Sequence, residues 1–227
     1  MAMMPKAKHE ELEENVFWAT MSDLMLGLAV VFMTLFVLTM SGFSTQKVQQ
    51  KIDQARVSSE VEQRLKQEGI FVQMDEMTGD IKISDLELFE LNSWVLSPKG
   101  KAFLDKLIPA YIDTVLSKDE LVETLDSILI QGHTDSQSFK GVSSKDEQFV
   151  KNMELSLKRA NSVAEYIFQT KYNKKYSDKL RDLVVVEGKS FSEPVLNAEG
   201  KEDYAKSRRV ELKLKIKRMD LSDAFGI

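Results

Sequence analysis

Val16-Phe17-Trp18-Ala19-Thr20-Met21-Ser22-Asp23-Leu24 opens an apolar run that continues without a charge to Phe43. From Asn15 to Gln46 the only ionisable side chain is Asp23. At a rise of ~1.5 Å per residue the uncharged part from Leu24 to Phe43 spans ~30 Å, the hydrocarbon thickness of a bilayer. A cleaved signal peptide has a shorter apolar core and a small-residue cleavage site, and neither is present. The run reads as one retained transmembrane helix over 16–43. Phe17 and Trp18 match an interfacial aromatic belt, which places Asp23 more than a turn inside the bilayer. A carboxylate at that depth costs roughly 2.5–3.5 kcal/mol on insertion scales. Its neighbours at helical spacing are Ala19, Thr20, Leu26 and Gly27, with Val30, Thr34 and Ser41 farther along. This is a small, slightly polar stripe of the kind that packs against other helices. Asp23 is therefore read as a proton or cation site. The alternative is a carboxylate that starts the span from the headgroup region.

Working outward, Ser44 to Glu68 is polar, charged and free of glycine and proline. Val48, Ile52, Ala55, Val61 and Leu65 recur at roughly helical spacing. The segment reads as a helical linker over 44–69, either pairing with a copy of itself or solvated, with Gly69 as its stop. Ile70 to Met74 and Asp80 to Ile83 flank Thr78-Gly79 as a hairpin. Ser97-Pro98 supplies an N-cap and first-turn proline, and Phe103, Leu107, Tyr111 and Val115 continue an amphipathic helix to about Leu116. Ser127 to Gln131 is a buried strand, and Ser136 to Glu147 a loop. Asn152 to Thr170 is a second amphipathic helix, with Leu155, Val163 and Ile167 inward. Leu183 to Val186 is a strand and Lys189 to Lys206 a polar loop. Arg209 to Lys217 alternates apolar and charged residues as a half-exposed strand. The order predicts an α+β sandwich with two helices on one face of a mixed sheet. The tail 218–227 carries no pattern.

The composition narrows the function. Net charge is −5, with no basic patch for nucleic acid. Cysteine is absent, which removes disulfides, zinc–thiolate sites and cysteine nucleophiles. With only His9 and His133, a histidine-rich metal site is excluded. No Ser-His-Asp set, cleft of paired carboxylates or glycine-rich phosphate loop is seen, so the chain is not read as an enzyme, and no cofactor is expected.

Four separated motifs carry a resemblance. They are Gln131-Gly132-His133-Thr134-Asp135, then Asn152-Met153-Glu154-Leu155-Ser156-Leu157-Lys158-Arg159-Ala160, then Gly188 with Glu193-Pro194-Val195, then Ser207-Arg208-Arg209-Val210-Glu211-Leu212. In this order they resemble the OmpA-like peptidoglycan-binding domain over roughly residues 70–217. Leu88-Phe89, Asn92-Ser93 and Leu96 to Gly100 resemble that family's first strand and helix. The resemblance implies a site for diaminopimelate of the wall stem peptide, with Asp135 and Arg159 clamping an amine and a carboxylate through charge-assisted hydrogen bonds. It implies a further polar contact from Asn152, and a pocket shaped by Thr134 and Leu155. Two departures are a longer stretch between Asp135 and Asn152, and Ser207 in place of an Asn before the Arg pair.

Phe17-Trp18 and Ser22-Asp23-Leu24-Met25, placed before such a domain, resemble the B subunits of ion-driven stators, the MotB-like family. The short linker, Gly188 to Ser192 and Ser207 to Lys215 look closer to the stator-like subunit of Zorya anti-phage defence. The resemblance implies a homodimer, two chains inside about five copies of a multi-span A subunit, with Asp23 carrying H+ or Na+. Val48, Ile52, Ala55 and Leu65, and the strand near Val210 to Leu214, are the expected two-fold contacts. A wall-binding domain lies in the periplasm, so residues 1–15 are expected in the cytoplasm and the chain in the bacterial inner membrane. The lysine count on either side of the span does not favour that orientation. A flagellar stator subunit and a passive membrane-to-wall anchor are the alternatives.

Overall fold

A computed structural model describes residues 6–75, 78–90, 93–117, 119–139, 141–142 and 144–217. The side chains of 6–15, 41–51, 53, 120 and 121 are not described, so the expected contact at Val48 lies outside the described residues, as do Asn92 and the tail 218–227. The chain divides into two compact units, Met1–Gln49 and Gln50–Ile227. Helix α1, Lys6–Gln67, supplies residues to both.

In the first unit, Val16–Met40 is long and apolar enough to cross a membrane. Every side chain from Val16 to Met40 is exposed. Such a stripe of uncovered Leu, Val, Phe and Met needs lipid or other protein around it. The hydroxyls of Thr20, Thr34 and Thr39 donate back to carbonyls three or four residues earlier, at 2.8–3.0 Å. That satisfies them within the helix, as a hydrocarbon setting demands.

The second unit is a five-stranded mixed sheet with helices packed on one face. Its elements are the C-terminal part of α1, β1 (Gln73–Met74), β2 (Ile81–Ser84), α2 (Asp85–Leu88), α3 (Pro98–Leu116), α4 (Asp119–Thr124), β3 (Leu125–His133), α5 (Lys145–Gln169), α6 (Ser177–Leu183), β4 (Val184–Gly188), α7 (Tyr204–Ser207) and β5 (Arg209–Ile216). Strand order is β1-β2-β5-β3-β4. β5 is antiparallel to β2 and β3, and β3 and β4 run parallel.

Local chemistry explains the element ends. Gly69 adopts φ 71°, with Ile70 N–H bonded to Leu65 O and Gly69 N–H to Lys66 O. This paired pattern is how a left-handed glycine closes a helix. The Ser97 hydroxyl accepts the Gly100 N–H at 2.9 Å and Pro98 opens α3, as its sequence predicts. Gly79, at φ 73°, turns the β1–β2 hairpin.

The core lies between the sheet and its helices. Ile81, Ile83, Ile128, Ile130, Val210, Leu212 and Leu214 face Leu104, Leu107, Tyr111 and Val115 of α3 and Ala160, Val163 and Ile167 of α5. Val57, Val61 and Leu65 of α1 join the same core, with Val61 and Leu65 each 1% exposed. This corrects the expected two-fold contact. Leu65 and the strand Val210 to Leu214 are covered within one chain, so neither can meet a second copy. Helical spacing marked the apolar face of α1 correctly but not what covers it. Ile52 remains exposed.

Two other expectations change. β5 is not half-exposed: it is central, flanked by β2 and β3, and its outer-face residues Arg209 and Glu211 are buried. The loop expected from Ser136 to Glu147 ends early, because α5 begins at Lys145. The extra residues before Asn152 therefore extend a helix, and Leu155 on it is half-buried.

Candidate functional site

The motif residues converge where β2 and β3 end and β5 begins, under the middle of α5. Close approach of α5 to the sheet requires two glycines. A Cβ at Gly132 would lie 2.0 Å from the Ser156 carbonyl oxygen, and one at Gly188 would lie 2.8 Å from the Ser156 hydroxyl. Gly132 and Gly188 are partners in the β3–β4 ladder, so both strands make room at one point. Ser156, fully buried there, accepts the Ser190 N–H at 3.1 Å and donates to Met153 O at 2.9 Å. Ser190, at φ 54°, in turn accepts the Thr134 N–H at 2.9 Å. These bonds fix Thr134 and Asp135 beyond the end of β3 relative to Arg159, one turn along α5 from Ser156.

Asp135 and Arg159 are both buried, 7% and 3% exposed. Each already holds an opposite charge. Asp135 accepts from Arg208 Nη1 and from Gln137 N–H, the latter at 3.2 Å. Arg159 Nη2 sits 3.1 Å from Asp85 Oδ2, and its Nε donates to Ser93 O at 3.1 Å. Its guanidinium also lies over the Phe89 ring, 5.5 Å from the centroid. Desolvation is the largest influence on both members of the Asp85–Arg159 pair. It raises the Asp85 carboxyl and lowers the Arg159 guanidinium from their ordinary values, while Arg208 and Asp135 act on both through their charge. The four groups form one cluster of two carboxylates and two guanidinium groups, three of them buried and Arg208 half-buried.

Thr134 is buried beside Asp135, and its hydroxyl has no partner among the described residues. Asn152 is buried on the α5 face that carries Arg159 and donates to Gln148 O at 3.1 Å. Leu155 stands one turn before Arg159. Sequence reasoning missed two members of the cluster. Arg208 lay within a motif, without a role. Asp85 had no local signal at all: it reaches the site because β2 pairs with β5 and its N–H bonds Arg208 O at 3.1 Å. Ser207, fully buried, accepts the Val195 N–H at 3.0 Å, so its short hydroxyl ties the polar loop down beside the Arg pair.

A second network lies on the opposite face of the sheet. Glu211, 2% exposed, meets Arg209, Lys213 at 2.7 Å and His133 at 3.7 Å. Burial lowers the His133 imidazole from its ordinary value, partly offset by Glu211. Burial raises the Glu211 carboxyl, but His133, Lys213 and Arg209 beside it outweigh burial and hold it well below the ordinary range. Both groups bind protons more readily in the unfolded chain. The stability they contribute is present above their unfolded values, about 6.5 for His and 4.3 for Glu, and is lost as pH falls through that range. The thermal midpoint of the full chain in detergent should therefore fall from pH 7 to 5.5 and further below 4.5. His133→Asn should flatten the first part. A wild-type midpoint level across both ranges would contradict this assignment.

Compared with known proteins, residues 88–208 match the OmpA family. The chain is 29% identical over 214 residues to Zorya protein ZorB of Escherichia coli strain Crooks, covering 89% of this chain and 88% of that protein. It is 25% identical over 223 residues to Zorya protein ZorB of a second Escherichia coli strain, covering 92% and 84%. A crystal structure of a MotB-like protein from Desulfovibrio vulgaris shares the fold, with a TM-score of 0.52 at 19% identity, covering 77% of this chain and 98% of that one.

Proposed function

The chain belongs to the OmpA family, and from that premise we propose that it is the wall-anchored subunit of an ion-driven rotary complex in the bacterial inner membrane, of the Zorya anti-phage defence type. One observation carries the reading: a single carboxylate, Asp23, stands in an otherwise uncharged span of a chain whose second unit is an OmpA-family domain. A passive tether gains nothing from an expensive membrane carboxylate. A motor needs one to take up and release its ion, H+ or Na+.

The two units divide the work. Asp135 and Arg159, with Asn152, Thr134 and Leu155 around them, hold the diaminopimelate end of a stem peptide. Its amine and carboxylate match a cluster that carries both signs of charge in a desolvated setting. Peptidoglycan lies outside the inner membrane, so the domain is periplasmic and the N-terminus cytoplasmic. Anchoring supplies the fixed point that rotation requires, since torque on an unanchored helix only spins it. Two copies stand inside a ring of a multi-span A subunit, and the exposed apolar surface from Val16 to Met40 is their contact with one another and with the ring.

Affinity purification of the full chain from its native membrane, followed by native mass spectrometry, tests this assembly. The expected particle holds two of these chains and about five copies of one multi-span protein. A chain that purifies free of any multi-span partner would contradict it.

A further inference from the structure

The charge cluster is not saturated. Asp85 Oδ2 meets Arg159, but among the described residues Asp85 Oδ1 is buried without a partner, as is the Thr134 hydroxyl beside Asp135. A desolvated acceptor with nothing to accept is costly in a folded protein and marks a place where a donor belongs. The Asp85 side chain is 10% exposed. Its backbone is fixed by the bond from its N–H to Arg208 O, next to the Ser84–Arg209 pair of the β2–β5 ladder. It is therefore a placed carboxylate rather than a mobile surface charge.

The charges also constrain the ligand. Two carboxylates and two guanidinium groups cancel, so an incoming group with only one sign leaves a buried charge uncompensated. A group carrying an ammonium and a carboxylate together does not. Its carboxylate takes free N–H donors of the guanidinium groups, and its ammonium needs carboxylate oxygens. Asp135 has both oxygens engaged, by Arg208 and by Gln137 N–H. Asp85 has one open.

We infer that Asp85 is the acceptor that receives the ligand's ammonium group and so makes a free amine a requirement for binding. This rests on the reading of the cluster as a clamp for a zwitterionic peptide end. It adds a residue that belongs to none of the four sequence motifs.

The test uses the full chain in detergent and two probes: a muramyl tripeptide ending in diaminopimelate, and the same peptide with its terminal amine acetylated. The wild-type chain should bind the free-amine peptide roughly tenfold or more tightly than the acetylated one, the scale of one charge-assisted hydrogen bond. Asp85→Asn should bring the two affinities to within about twofold of each other. A purely structural Asp85 would weaken both probes together and leave their ratio unchanged, which overturns the inference. Carbon NMR of wild-type protein labelled at aspartate provides the readout that needs no variant. The Asp85 carboxyl signal should move with the free-amine peptide and stay still with the acetylated one, and a signal unmoved by either is the opposing result. Equal wild-type binding of both peptides leaves wall binding intact and overturns the role of Asp85. Binding of neither refutes the clamp itself.

Discussion

Asp23→Asn is expected to leave the chain inserted and assembled and to abolish its activity. The amide matches the carboxylate in size, so the packing of the small stripe around it is unchanged. Removing a charge from membrane depth relieves a burden of roughly 2.5–3.5 kcal/mol, so insertion is not impaired. What the amide cannot do is bind and release a proton, or neutralise a sodium ion. No other side chain from Asn15 to Gln46 can substitute, because none is ionisable. In cells carrying the complete defence locus, phage plating efficiency should rise to that of unprotected cells while the complex still purifies intact. Full protection by Asp23→Asn would remove the ion-carrying role.

The second large effect is at the wall. Arg159→Ala deletes the cation that meets Asp85 at 3.1 Å and a donor to Ser93 O. Breaking a buried ion pair by removing one partner costs roughly 3–5 kcal/mol, because the remaining charge is left uncompensated. This variant should lose wall retention and also unfold at a markedly lower temperature. Asp135→Asn separates the two effects. It is nearly isosteric, its amide oxygen can keep one of the two bonds that Asp135 accepts from Gln137 N–H and Arg208 Nη1, and Arg208 is exposed enough to turn to water, so the domain should stay folded. It lacks the negative charge for a zwitterion, so the amount sedimenting with isolated peptidoglycan should fall roughly tenfold. Unchanged sedimentation of both variants would reject the site.

The reach of the sequence differs from element to element for physical reasons. The long apolar helix was legible because a bilayer-length run with almost no charge is a matter of composition alone. The Asp135 and Arg159 motifs were legible because each sits in a local pattern: a strand end with Gly132, and a helix turn with Ser156. The fold followed from periodicity, which identifies apolar faces. Periodicity is silent about what covers a face, and so Leu65 and Val210 to Leu214 were read as contacts between chains when they are core. Asp85 was illegible because its importance comes from a pairing between β2 and β5, which are separated by most of the domain. Arg208 was visible as a residue and not as a partner, since its contact with Asp135 spans 73 positions. Glu211 illustrates the same limit in a strand. Alternation assigned it to the solvent side, and only the central place of β5 buries it.

The measurement that bears most directly on the central claim is ion flux. The full chain and its multi-span partner, purified together and reconstituted into liposomes under an imposed proton or sodium gradient, should dissipate one of the two gradients. The same complex with Asp23→Asn should hold both. Equal dissipation by the two complexes, or none from the wild type under either gradient, would contradict a chain that carries ions through Asp23.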